Sequence, residues 1–274
     1  MTPDHKLAQL ATRPVGRLLW EYSLPAVVGM LVTALYNVVD RIFIGQWVGP
    51  DAIAGLAVTF PLINLATAVG VLIGVGSSSR VSIELGAGNT ETAHRLLGNA
   101  FVLTWINGII YIVLFAAFLD PLLLLFGASE ATLPYAHRYM LVLLPGCLLT
   151  NLTYGLNNIM RASGYPGRAM TTMLIGAVIN VALDPLFIYV FGWGIEGAAW
   201  ATDIAMAVSA IFVVAHFCRR DTTVRFRRGI YTLRLKIITG IISIGAAPAL
   251  VNAAACLVNM LANRSLLGHG GTAT

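Results

Sequence analysis

The sequence predicts an all-α integral membrane protein, and three observations support this fold class. The 274-residue chain is 58% hydrophobic and only 11% charged, whereas a soluble domain carries about 25% charged residues. Its apolar residues form continuous runs of about 20 or more, which is the length that crosses a bilayer as a helix. They do not alternate with polar residues, as the strands of a membrane barrel require. The cysteines, Cys147, Cys218 and Cys256, have no metal-ligand spacing, so neither a metal site nor a disulfide is predicted.

Seven membrane-spanning helices are predicted from these runs, joined mostly by short connections that favour antiparallel neighbours. The first run is longer than the apolar region of a signal peptide, about 7–15 residues, so no cleaved signal is predicted. The approximate bounds of the seven predicted spans are 18–45, 52–78, 96–119, 133–160, 168–191, 194–217 and 237–262.

The distribution of basic residues predicts the orientation, because cytoplasmic loops carry an excess of Lys and Arg. Fourteen of the 17 Lys and Arg residues fall on one side of the membrane, and the exceptions are Arg41, Arg138 and Arg264. The amino terminus is therefore predicted to be cytoplasmic, in a multi-pass protein of the inner or plasma membrane. The same rule explains the basic charge, so no nucleic-acid partner is predicted.

Polar side chains from four predicted spans fall at a similar depth. Counting residues from the outer span ends at the helical rise places Asp40, Tyr139, Asp184 and Thr202 roughly 8–12 Å inside the membrane. Asn180 lies four residues before Asp184 and therefore on the same helix face. Scattered polar residues would not share a depth, so the layer indicates a cavity in the outer half of a helix bundle.

Two chemistries are open for this predicted cavity. A buried carboxyl group can carry a proton, since burial disfavours its charged form, or two carboxylates with amide and hydroxyl oxygens can hold a hard cation such as sodium. The alternatives are that the polar groups only hold helices together, or that Asp40 marks the water interface beside Arg41. Asp203 adjoins Thr202 but points about 100° away from it around the helix.

The charged residues between the second and third spans carry no predicted function. They are interpreted as solvated side chains on a cytoplasmic loop: Glu84, Glu91, His94 and Arg95.

An internal repeat organises the chain. Residues 24–41 align with residues 247–264, which brings Pro25 onto Pro248 and Asp40 onto Asn263. Transporters commonly contain repeated units that move against each other. The repeat predicts a cytoplasmic amino terminus, a six-helix lobe, a basic cytoplasmic linker and the first helix of an incomplete second lobe, with bounds 1–17, 18–217, 218–236 and 237–274.

Four stretches resemble the multidrug and toxic compound extrusion (MATE) family, in its bacterial MepA-like and DinF-like branch. The resemblance covers about residues 14–268. It is carried by YNVVDRIFIGQWVGPDAIAGLAVTFP (36–61), GVGSSSRVSIELGAGNTETAHR (74–95), NNIMRASGYPGRAM (157–170) and NVALDPLFIYVFGWGIEGAAWAT (180–202).

The resemblance implies a twelve-helix transporter of two six-helix lobes that exports cationic, lipophilic compounds in exchange for protons or sodium. The chain would then be truncated after its seventh helix. The resemblance implies no cofactor, a helix bend at Pro25, and a cation site that falls on Asp40, Asn180 and Asp184, with Tyr139 and Thr202 as hydrogen-bond partners and Asn157 as a further member.

Three other functions are alternatives to cation-coupled export. An intramembrane enzyme is disfavoured, because no nucleophile–histidine pair, zinc motif or nucleotide loop is present. A lipid or lipid-linked-sugar flippase would favour a cationic lining for anionic headgroups, whereas the predicted cavity holds two acids. An inactive remnant would leave the seventh span without a partner against lipid and would favour self-association.

Overall fold

The computed structural model describes residues 14–270, and regular helices form nearly all of this range. Pro50 and Pro166 lie at the first positions of their helices, where a missing N–H leaves no helical hydrogen bond unmade. A π-helical turn, Leu186–Val190, follows the helix Pro166–Pro185. The helices are α1 (Val15–Trp47), α2 (Pro50–Gly86), α3 (Thr90–Ala117), α4 (Leu119–Leu125), α5 (Leu133–Ala162), α6 (Pro166–Pro185), α7 (Gly194–Cys218) and α8 (Leu235–Gly270).

The seven predicted spans are confirmed, since seven helices in the described range are long and apolar enough to cross a membrane. Three of them, α2, α3 and α8, extend six to eight residues beyond a predicted bound. The predicted segment 1–17, apart from its last four residues, lies outside the described residues, as do residues 271–274 at the end of the predicted segment 237–274.

The predicted loop between the second and third spans is wrong, because α2 and α3 continue until only a short turn separates them. Ion pairs one helical turn apart support the extensions, with 3.1 Å between Arg80 and Glu84 and 3.1 Å between Glu91 and Arg95. His94, predicted to be solvated, is buried, and its Nδ1 lies 2.6 Å from the carbonyl oxygen of Thr90. Hydropathy detects the membrane-embedded part of a helix, so it misses such charged extensions.

The order of helices in space departs from the predicted pairing of sequence neighbours. Helix α2 packs extensively against α5, and α5 against α7. Helix α1 packs mainly against α6 and makes little contact with α2, although a short turn joins them. At this contact a Cβ on Gly29 would come within 2.6 Å of Met173 Sδ, so the flexible end of Met173 packs beside this glycine.

Helix α8 packs along α2 in the most extensive helix pair of the described structure. Glycines allow the two backbones to meet: a Cβ at Gly76 would overlap the carbonyl oxygen of Ile241, and one at Gly245 would overlap that of Leu72. Small residues serve this purpose widely in membrane helix pairs. The seventh span, which the inactive-remnant alternative would leave without a partner, therefore has one in α2.

The linker between α7 and α8 follows a defined path over the end of the bundle. The buried side chain of Asn99 donates hydrogen bonds to the carbonyl oxygens of Ile230 (3.2 Å) and Thr232 (3.1 Å), and its Oδ1 accepts one from the N–H of Arg234 (3.0 Å). Near the start of the linker, two hydrogen bonds of 3.0 Å from Arg219 hold the pKa of Asp221 at about 2. We call this end of the bundle the linker side.

Candidate functional site

A cavity of about 160 Å³ lies between α1, α2, α5 and α7 and contains the side chain of Asp40. Tyr139 and Thr202, both predicted for the cation site, line the same cavity. Asp40 is only 8% exposed, and its Oδ1 has no hydrogen-bond partner within the described residues. A buried oxygen without a partner is rare in native structures and indicates a place for a ligand, ion or water.

Asp40 and its sequence neighbour Arg41 differ in burial but line the same cavity. Arg41 is exposed, and its guanidinium carbon lies 4.6 Å from the ring centroid of Phe60. This distance is typical of a cation–π contact. Arg41 therefore brings a positive charge to the cavity that contains Asp40.

Asn180 and Asp184 lie behind the cavity wall and reach it through Thr202. Asn180 Nδ2 lies 3.2 Å from Thr202 Oγ1 and 3.4 Å from Asp184 Oδ1. Asp184 is completely buried, and its Oδ2 and the Oδ1 of Asn180 lack partners among the described residues. The helix changes to the π-helical turn just after Asp184, at Pro185, which has no N–H to donate. Single π turns occur frequently at functional sites.

The two carboxyl groups are close enough for their charges to interact, and the phenol of Tyr36 interacts with both. Asp40 also interacts with the guanidinium of Arg41. Tyr139 interacts with Asp40 from α5. Residues from four helices, α1, α5, α6 and α7, thus contribute to a single acidic region.

Asp203 is a further buried acid, but it does not line this cavity. Its carboxyl group lies against Gly146, where a Cβ would overlap Asp203 Oδ1. This agrees with the predicted 100° separation of Asp203 from Thr202. Gly146 follows Pro145, so the contact joins α7 to the segment of α5 that contains this proline.

A second cavity, of about 120 Å³, lies between α1, α5, α6 and α7, toward the linker side. It contains Asn157, which the structure therefore separates from Asp40, and Arg161 at the end of α5. Asn157 Nδ2 donates a hydrogen bond of 3.0 Å to the carbonyl oxygen of Ala169. Pro25 lies within α1, which continues through it as one helix, and it lines neither cavity.

Sequence reasoning missed two residues of this region. Tyr36 lines both cavities and lies four residues before Asp40, so the helical period alone places the two side chains on one face. Arg161 falls just after the predicted fourth span, in a predicted loop, although it follows Asn157 by four residues on a polar stripe of α5. The helical spacing of that stripe was the available signal.

Comparison with known families decides the identity of this helical unit. Residues 25–186, which include both cavity-lining stretches of α1 and α5, match the MatE family. The chain belongs to the MatE family. Members of this family are transporters and not enzymes.

Curated MatE relatives cover most of this chain. A relative described as an FAD transporter of Shewanella oneidensis is 34% identical over 204 residues, which are 73% of this chain and 45% of that protein. The multidrug export protein MepA of Staphylococcus haemolyticus is 28% identical over 81% of this chain and 49% of its own length. The chain spans about half the length of these curated relatives.

Solved MatE structures confirm the fold. A MATE transporter in a bent conformation and one in a straight conformation each match with a TM-score of 0.82 and 28% identity, covering 99% of this chain and 58% of theirs. An outward-facing multidrug resistance MATE transporter matches with a TM-score of 0.83, covering 99% of this chain and 57% of its own.

Proposed function

We propose that this MatE chain contributes to the export of small, cationic, lipophilic compounds in exchange for protons or sodium ions. Its amino terminus and linker side would face the cytoplasm of a cell bounded by the inner or plasma membrane. The observation that carries the proposal is the unpartnered carboxyl group of Asp40, which faces a cavity and interacts with the buried Asp184.

The arrangement of charges gives a physical basis for exchange. Two negative carboxylates buried together repel each other, so the pair favours a bound proton or sodium ion. An organic cation in the cavity would neutralise the same charges. The two ligands therefore weaken each other's binding, and this coupling is reciprocal. Phe60 and Tyr139 supply aromatic surface for an apolar cation.

A competition experiment tests the proposal. Binding of the fluorescent cation ethidium to the purified chain in detergent would be titrated at several pH values and sodium concentrations. We expect the apparent Kd to rise at least severalfold when the coupling ion is in excess, because the ion occupies the site that ethidium needs. A Kd that is independent of both ions, or the absence of binding, would contradict the proposal.

Export of a flavin nucleotide is a second candidate function. It is favoured by the relative described as an FAD transporter, which is 34% identical to this chain. Expression of the gene would then increase the amount of FAD in the culture medium, measured by its fluorescence after chromatography. Unchanged extracellular FAD at normal expression would remove this candidate.

A further inference from the structure

The second cavity has one basic residue and no acid in its lining, whereas Asp40 and Arg41 both line the first. Arg161 is the one ionisable side chain other than tyrosine there, and within the described residues no Asp or Glu contributes to it. Threonine and serine residues from four helices also line a surface that is otherwise mostly apolar: Thr33, Thr150, Thr153, Thr172 and Ser209. A mostly apolar cavity with one guanidinium suits an amphiphilic ligand that carries a negative group.

Arg161 has donors that the protein leaves unused. Its Nε is buried and has no hydrogen-bond partner in the part of the chain that the structure describes, and its Nη2 reaches only Met173 Sδ, at 4.0 Å. No ion pair between Arg161 and an acid is present among those residues. A guanidinium has five N–H donors in a planar fork that matches a carboxylate or phosphate.

A stripe along α5 adds a further available group. Thr153, Asn157 and Arg161 follow one another at intervals of four residues, and each has a buried polar atom without a partner among residues 14–270. The hydroxyl group of Thr153 can donate a hydrogen bond toward the space that Arg161 faces. Three unsatisfied atoms on one stripe indicate a site for a polar ligand better than any one of them does.

The two cavities share three lining residues, Tyr36, Thr150 and Met206, and are therefore adjacent. Arg161 lies eleven residues beyond Thr150 on α5, or about 16 Å along the helix axis. Asp40 and Arg161 therefore lie in neighbouring cavities, on opposite sides of the residues that the two share.

We propose that Arg161 and Thr153 form a binding subsite for the oxyanion, a carboxylate or phosphate, of an amphiphilic substrate. This inference rests on the proposed export function, and it extends the substrate class from simple organic cations to zwitterionic and anionic compounds. A compound with a free carboxylate is then expected to bind more tightly than its methyl ester, in which that group carries no charge.

A pair of dyes isolates the oxyanion. Rhodamine 110 has a free carboxylate, and rhodamine 123 is its methyl ester. Fluorescence anisotropy would measure both dyes with the purified chain in phosphate-free detergent. We expect the wild-type chain to bind the acid about tenfold more tightly than the ester, which corresponds to one charge-assisted hydrogen bond. Equal affinities would overturn the inference.

Variants assign the preference to Arg161. Arg161→Gln should remove the preference and leave the affinity for the ester unchanged, whereas Arg161→Lys should retain part of it. Arg228→Gln removes the same charge from the exposed linker and should behave as wild type. A loss of affinity for both dyes alike in a folded Arg161→Gln variant would indicate a structural role and overturn the inference. If that variant does not fold, the dye pair on wild type and Arg161→Lys decides.

The oxyanion of a lipid headgroup is the other possible source of the ligand. Phosphatidylglycerol or phosphatidylcholine would be added to the detergent solution. A preference that persists supports a substrate subsite, and one that disappears assigns Arg161 to lipid and overturns the inference. Ester binding that still competes with the coupling ion, without a preference for the acid, would leave the export proposal intact while this inference fails.

Discussion

Replacing Asp40 with Asn is expected to abolish any drug resistance that the wild-type gene confers on a susceptible host. The substitution keeps the size of the side chain but removes the charge that a proton, sodium ion or organic cation would neutralise. Resistance should fall to the level of the host without the gene, because exchange requires both ligands to compete for this carboxylate. Growth at graded drug concentrations measures the effect, with the amount of protein in the membrane quantified in parallel.

Two control variants test whether resistance depends on the acid in the cavity or on any acid of the chain. Asp51→Asn removes an exposed acid in the first turn of α2 and should retain resistance. Asp203→Asn removes a buried acid that lies against Gly146 on α5, outside the cavity. Because the amide keeps an oxygen in that place, this variant should also retain resistance. Unchanged resistance in Asp40→Asn at normal expression would exclude a coupling role for Asp40.

Replacing Gly245 with Leu is expected to separate α8 from α2. Even a Cβ at this position overlaps the backbone carbonyl of Leu72, which cannot move as a flexible side chain can. Overpacking of this kind costs about 3 kcal/mol, and it acts at the most extensive helix pair. A lower melting temperature in detergent should result.

Cysteine labelling localises the effect of this substitution. Cys256 is buried on α8, and its Sγ lies 3.2 Å from the carbonyl oxygen of Pro61 on α2. Maleimide should label Cys256 faster in Gly245→Leu than in wild type, whereas the exposed Cys218 should react equally in both. Gly86→Leu is the matched control, because a Cβ there meets nothing within 4 Å. Wild-type melting and labelling in Gly245→Leu would show that α2 and α8 accommodate the larger side chain without separating, which contradicts the prediction.

The sequence predicted those features that depend on local averages. The seven spans follow from long apolar runs, and the different directions of Thr202 and Asp203 follow from the helical period. The helical extensions that contain Glu84 and His94 were missed, because ion pairs and tertiary burial stabilise them and neither contributes to hydropathy. The pairing of α1 with α6 was missed because it is a tertiary contact between helices far apart in the sequence, which no local pattern encodes.

The candidate site was predicted in its parts but not in its layout. Depth along the helices brought together Asp40, Tyr139 and Thr202, which the structure places around one cavity. The same reasoning could not assign Asn157 and Arg161 to a second space, because the division depends on the side chains between the two. The roles of all these residues in ion binding stay predictions.

The wall that the two cavities share has a consequence for molecular size. Ligand pockets usually measure about 300–1,000 Å³, and neither cavity reaches that range, at about 160 and 120 Å³. Neither cavity is fully enclosed, so a compound of ordinary drug size would extend beyond one of them or enter both, with Tyr36 and Met206 between its parts. We expect the rotamers of these two side chains to decide how far a bound molecule reaches from one space into the other.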